Sequence, residues 1–385
     1  MDPIRFYIGA RGFYGLCWTT MTTVTLIFMV EVGGLDPLQM VLVGTALEVS
    51  AFAFEIPTGV LADAYSRKWS VVIGHVLTGI SFIEMALFPT FTGIVIAQVI
   101  WGLGATFISG AFTAWVSDEA GVEPANRALL RAARVSQIAS FVGIGISVAL
   151  AHYALFLPIL VGGIGIVALG IAMIFGMRED HFSPTRREDR ATFAAMADTF
   201  KRGMSELKVQ PILVTIMVVA VVFGMFSEGF DRLNVPHLVS AHEFPQIGTL
   251  DTVVWWGIIS AMSITAGIIA TTLGTRYVDT GNHVQLTWTL GGIVVVIGLA
   301  VIAFANLEGL YAALAFFWLA NGLRQLHTPL ATAWLNRRLS SESRATMLSM
   351  EGQADALGQA VGGPAVGVVA KTVAIPVALT ISGLL

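Results

Sequence analysis

Long apolar stretches dominate the chain, interrupted by glycine, proline and small clusters of charge. A helix needs about 20 apolar residues to cross the roughly 30 Å hydrocarbon core of a bilayer. The breaks predict spans near 6–32, 37–60, 69–89, 92–117, 130–152 and 155–177, a polar stretch, and spans near 209–235, 251–275, 284–305, 309–335 and 345–370. Residues 372–385 supply about 21 Å of helix, so a twelfth span is expected to be incomplete. Within 178–208, Phe193, Met196, Phe200, Met204 and Leu207 recur at helical spacing among charged residues. That pattern predicts an amphipathic helix on the membrane surface. The organisation read from this pattern is an N-terminal bundle over 1–177, a linker over 178–208 and a C-terminal bundle over 209–385.

Composition strengthens the membrane reading. The chain is 56% hydrophobic and 12% charged, against about 25% charged in an average soluble domain. A net charge of −4 gives no basis for nucleic-acid binding. Cys17 stands alone in an apolar run, which excludes an internal disulfide and reads as a small buried side chain. The N-terminal apolar run is too long for a signal peptide and no small-residue cleavage site follows it. With the N-terminus inside, all but Lys371, Arg232 and Arg324 of the 21 Lys and Arg residues fall on the cytoplasmic side. By the positive-inside rule both termini are then cytoplasmic.

Charges inside spans are costly and need a partner or a wet cavity. In "FSEGFDRLNVPH", Glu228, Asp231 and Arg232 share one helix face. They read either as an ion pair near the outer interface or as a cavity-facing cluster for substrate or protons. Pro236 with Gly224 and Gly229 would let this helix end bend. In "WLANGLRQLHTPL", Asn321, Arg324, Gln325 and Thr328 form a polar stripe with His327 beside it. Arg324 is too deep to reach either surface and is the strongest functional candidate, with Asp231 or Glu228 as counter-ion; a buried structural pair is the other reading. Glu48, near the middle of its span, reads as a proton-exchanging carboxyl or a neutral hydrogen-bonded one. Glu351 and Asp355 suit a helix start and read as structural. Tyr14 and Trp18 lie on an aromatic stripe of the first span that serves packing or holds a planar solute. Trp115 and Trp334 are expected in interfacial belts, and "GQAVGGPAVG" at 358–367 permits tight helix contact.

The two halves overlay at an offset of about 220 residues, with Thr113-Ala114-Trp115 opposite Thr332-Ala333-Trp334 and Arg127 opposite Arg344. Such repeats mark transporter folds. Between the second and third spans, "GVLADAYSRK" at 59–68 resembles the signature loop of the major facilitator superfamily. Gly59, Leu61, Ala62, Asp63, Arg67 and Lys68 match it, and Ser66 replaces its second glycine. The resemblance implies an all-α membrane protein of twelve transmembrane helices in two pseudo-symmetric six-helix bundles. Helices one, four, seven and ten would line a central cavity. It also implies a conformational latch. Gly59 would permit close helix approach, Asp63 would face the N-terminal end of helix eleven, and Arg67 would pair with Asp63 and Asp118. Lys68 reads as an ordinary anchor.

The chain departs from drug–proton antiporters of that superfamily. Gln98 stands where they carry an arginine, span five has no Gly-Pro, and a Gly-Pro occurs instead at Gly363-Pro364. No P-loop, zinc spacing or nucleophile elbow is present, so an enzyme, a metal site or a cofactor is not expected. The leading expectation is a monomeric, inner-membrane secondary transporter, surrounded by lipid, that exports a small organic solute by proton antiport and alternating access. Uptake of a small anionic metabolite held by Arg324 and Arg232 is the second reading, and a non-transporting membrane sensor the third.

Overall fold

The computed structural model describes residues 2–183, 211–247, 252–338 and 341–385. The stretch 193–207 expected to form an amphipathic helix lies outside them. Among the described residues there are thirteen helices: α1 (Pro3–Glu31), α2 (Pro37–Ala64), α3 (Arg67–Leu87), α4 (Phe91–Ile108), α5 (Ala111–Ala120), α6 (Val122–Ala151), α7 (Phe156–Gly176), α8 (Pro211–Ala241), α9 (Val254–Tyr277), α10 (His283–Asn306), α11 (Leu310–Arg338), α12 (Ser341–Thr372) and α13 (Ile375–Leu384). Nine spans among the described residues are long and apolar enough to cross a membrane, with α4 and α5 counted as one. The expected fourth span is broken, because Gly110 adopts a φ of +72° between α4 and α5, a conformation that side chains with a Cβ avoid. Helix α6 starts earlier than its apolar run, directly after Gly121 at φ +82°.

Local chemistry explains the helix starts. Asp2 accepts a hydrogen bond from the Ile4 N–H at 3.0 Å and Pro3 occupies the first turn of α1, where its missing N–H costs nothing. Ser66 caps α3, Thr90 caps α4 and Asn282 caps α10, each accepting from backbone N–H groups. Inside α1 the threonine run solves its own polarity. Thr19, Thr20, Thr22, Thr23 and Thr25 donate to the carbonyls four residues back at 2.7 to 3.0 Å, the alternative in hydrocarbon being an unsatisfied hydroxyl.

The chain divides into two compact units. The first holds residues 1–35 and the helices from residue 46 through α7; the second holds Asp36–Thr45 and the helices from α8 onward. In the first, α1 packs on α6 and α7, and α3 packs on α4 and α7. Backbones meet closely there: a Cβ on Gly79 would lie 2.6 Å from the Gly163 carbonyl, and one on Gly163 would lie 2.9 Å from the Gly79 carbonyl. In the second, α8 packs on α12 and α11 packs on α9 and α10. Gly358 lies against the Val221 carbonyl and Gly224 against the Asp355 carbonyl. Gly224 and Gly229 serve close packing, and α8 continues through Pro236 to Ala241. Trp115 is another correction. It is 1% exposed, packs against Phe6 and Phe112, and donates from Nε1 to the Arg178 carbonyl at 2.6 Å; it is a core residue because this bond satisfies its indole N–H within the bundle. Cys17 is buried, as read.

The first residues of α2 are fixed within the second unit by Asp36. Its carboxylate accepts from the Gln39 N–H at 3.0 Å and from Lys371 Nζ at 2.8 Å, while the Gln39 side chain accepts from the Asp36 N–H. Burial alone would raise this carboxyl, but the Lys371 ammonium and the N–H groups of Gln39 and Leu38 outweigh it and hold Asp36 below its ordinary value.

Three outcomes are expected. Replacing Gly358 with Val forces α8 and α12 apart and lowers stability by about 1–3 kcal/mol. Gly292→Ala, where a Cβ meets nothing within 4 Å, leaves stability unchanged or raises it by up to about 1 kcal/mol; thermal unfolding in detergent reads both. Because Asp36 has a lowered folded-state value, its contribution is present above the unfolded value and is lost as pH falls through the folded one. The unfolding temperature should therefore drop as pH falls below about 4, and Asp36→Asn should flatten that part of the profile.

Candidate functional site

One four-residue stretch of α8 sends two acids to different surroundings. Glu228 pairs with Arg232 along the same helix, Nε to Oε1 at 3.1 Å, and is 2% exposed. Gly44 lies against both members of the pair, and a Cβ on Gly363 would sit 2.9 Å from the Glu228 side chain. Glu228 and Arg232 are therefore an enclosed ion pair, made possible by the absence of side chains at two facing glycines.

Asp231 points elsewhere. Arg324 of α11 grips it with both ends of the guanidinium, at 2.5 and 2.8 Å, a geometry that only arginine offers a carboxylate. The Arg324 side chain is 18% exposed, whereas that of Asp231 is 47% exposed. The guanidinium also lies over the rings of Phe226 and Phe230, at 5.7 and 5.5 Å from their centroids. These faces reward a delocalised cation. Arg324 is thus largely enclosed by protein, whereas its counter-ion is much less so.

The rest of the polar stripe on α11 disperses. Asn321 donates to the Phe317 carbonyl of its own helix at 2.9 Å, and Thr328 turns back to the Arg324 carbonyl. The Gln325 side chain lies against Gly267 of α9, and His327 stacks on Phe223 with centroids 4.9 Å apart. Successive helix positions differ by about 100°, so Gln325 and His327 flank Arg324 without joining its ion pair. Asp355 of α12, read from sequence as structural, lies within electrostatic range of Arg324 and Asp231 and accepts from Gln359 at 2.7 Å. Asp355 and Gln359, four residues apart, were the signal for a polar face on α12; Phe226 and Phe230 gave none, since phenylalanine in a span is ordinary core.

In the first unit, Tyr14 stacks on Trp18 at 5.6 Å. Trp18 also meets Phe82 of α3 and Trp101 of α4 at 5.6 and 5.3 Å, and Arg11 lies over the Tyr14 ring. Trp101 joins a cluster that its own sequence neighbourhood did not announce. Gln98 is fully buried one turn away, and its amide makes no hydrogen bond to described residues. Glu48 is half-buried on α2.

At the α2–α3 loop, Arg67 bridges Asp63, at 3.5 Å, and Asp118. A Cβ on Gly59 would meet nothing within 4 Å. Ser66, which replaces the second glycine of the motif, caps α3 and donates to Glu179 at 2.6 Å. Glu179 also accepts from the Lys68 N–H, and Phe182 lies under the Arg67 guanidinium. The start of the linker is thereby fastened to the motif loop. No cluster of His, Cys, Asp and Glu able to hold a metal occurs among the described residues.

The sequence profile of the Major Facilitator Superfamily matches residues 8–363. The chain belongs to that superfamily. It is 24% identical over 343 residues to YxaM of Bacillus subtilis (strain 168), an uncharacterized MFS-type transporter, covering 87% of this chain and 81% of the relative. Its fold is similar to the crystal structure of a point mutant of the nucleoside transporter NupG, with TM-score 0.78 at 14% identity over 99% of this chain and 96% of the other. It also resembles a bacterial homolog of the human lysosomal transporter Spinster, in an inward-facing and unoccupied conformation, with TM-score 0.73 at 14% identity over 96% and 83%. The protein is thus a multi-pass membrane transporter with the major facilitator fold, and the recognition drawn from the loop motif stands.

Breaking the Arg324–Asp231 pair should cost less than breaking a sealed one, because Asp231 is nearly half exposed. A double-mutant cycle of Asp231→Asn and Arg324→Gln, read by thermal unfolding, should give a coupling of about 1–3 kcal/mol.

Proposed function

We propose that this transporter is a proton-coupled secondary carrier that exports a small amphipathic organic compound across the inner membrane by alternating access, as a monomer with both termini cytoplasmic. The observation that carries this reading is the two-point grip of Arg324 on a half-exposed Asp231. While Asp231 is ionised it neutralises Arg324, with Asp355 of α12 a second acid within electrostatic range of both. A proton arriving at Asp231 cancels the carboxylate and releases the guanidinium, so protonation changes what the site binds. A ligand that interacts unequally with the two forms shifts the balance between them.

The aromatic faces of Tyr14, Trp18 and Trp101 supply sites for the apolar part of such a solute. Asn321, Gln325 and His327 act as flanking polar groups, and Glu228 and Arg232 keep α8 in register as a buried pair. Glu48 remains a second candidate for proton exchange. Asp63, Arg67 and Asp118, with Gly59 preceding them, form the latch that holds one state. Residues 1–177 and 209–385 act as the two bundles, joined by 178–208. Uptake of an anionic metabolite is the weaker reading, because Asp231 already occupies the guanidinium that such an anion needs.

The test uses the purified protein in proteoliposomes with a pH-sensitive dye and a panel of amphipathic cations, neutral aromatics and carboxylates. An imposed proton gradient should accelerate movement of at least one amphipathic compound severalfold, and Asp231→Asn should remove that acceleration while leaving binding detectable. A rate indifferent to the gradient would exclude proton coupling. Transport confined to carboxylates and abolished by Arg324→Ala would replace export with anion uptake.

A further inference from the structure

In the first unit, α1 packs on α7. A Cβ on Gly162 of α7 would lie 2.7 Å from the Cys17 carbonyl, so the backbones touch there. Nearer the start of α1, the Phe6 ring lies against Gly176. The interval between these contacts is an open cavity of about 530 Å³, within the roughly 300–1,000 Å³ typical of ligand sites. Its apolar lining is Phe6, Gly9, Ala10, Phe13 and Leu169. A Cβ on Gly9 would meet nothing within 4 Å, so the space over that glycine belongs to the groove.

Only the end nearest the chain start is polar, with Asp2 and Arg5 at the rim. Asp2 is occupied by its N-terminal capping bond to the Ile4 N–H and meets Arg5 only at Nε, at 3.5 Å. The Arg5 side chain is 88% exposed. An apolar trough on a transmembrane helix pair, ending in an exposed guanidinium at the helix start, matches one kind of molecule: an acyl chain with an anionic head.

We propose that this groove is a binding site for an anionic phospholipid, one acyl chain lying over Gly9 between Phe6 and Phe13 and the phosphate meeting Arg5. Arginine at a membrane interface attracts anionic headgroups by its charge and binds phosphate through paired N–H donors. The site lies within one unit and does not depend on the transport reading above.

Native mass spectrometry of the delipidated protein, titrated separately with phosphatidylglycerol and phosphatidylcholine, tests it. The wild type should retain phosphatidylglycerol preferentially, and Arg5→Gln should lower its affinity by about fivefold with little change for phosphatidylcholine. Gly9→Leu, which fills the groove from a position open to a side chain, should weaken both lipids. Equal retention of the two lipids by the wild type would overturn the headgroup assignment. Unchanged phosphatidylglycerol binding in Arg5→Gln would overturn the site even if Gly9→Leu failed to fold, since Arg5 is exposed and its removal does not disturb packing.

Discussion

Hydrocarbon offers a helix no water, so each polar group within the membrane must be satisfied by the protein itself or by a wet surface that the protein provides. The threonines of α1 meet this constraint by bonding to their own helix. Trp115 meets it across the bundle, through the Arg178 carbonyl. Glu228 and Arg232 of α8, and Asp231 of α8 with Arg324 of α11, meet it by pairing. Close backbone contact at Gly79, Gly163 and Gly358 follows from the same setting: lipid is as apolar as leucine, so helices associate through van der Waals contact rather than through exclusion of water.

The two ion pairs show how one constraint yields two roles. Glu228 and Arg232 are four residues apart on one helix and enclosed beneath Gly44 and Gly363, where proton or solute access would require those helices to move. Asp231 and Arg324 join two helices, and the acid is nearly half exposed. The second pair is thus the less enclosed of the two.

The loop motif shows a similar economy. The serine that departs from the family pattern caps α3 and reaches Glu179 at the start of the linker. A glycine there would supply neither bond. The departure therefore fastens the segment after α7 to the loop that carries Asp63 and Arg67, giving the first unit a rigid end.

Hydropathy alone located the helices, because length and apolar content are what a bilayer selects. The loop motif alone indicated the superfamily, since its charges stand between two spans at a fixed place. The helical spacing of Glu228, Asp231 and Arg232 showed that they share a face. It could not show which acid is sealed and which is open, because enclosure comes from Gly44 and Gly363, far away in sequence. Asp355 read as a helix-start acid for the same reason: its nearness to Arg324 depends on how α12 lies against α8 and α11. The break at Gly110, the interior place of Trp115 and the groove beside Gly9 were likewise decided by tertiary packing. Periodicity reports which residues share a face of one helix, while burial and pairing are properties of the helices that face it.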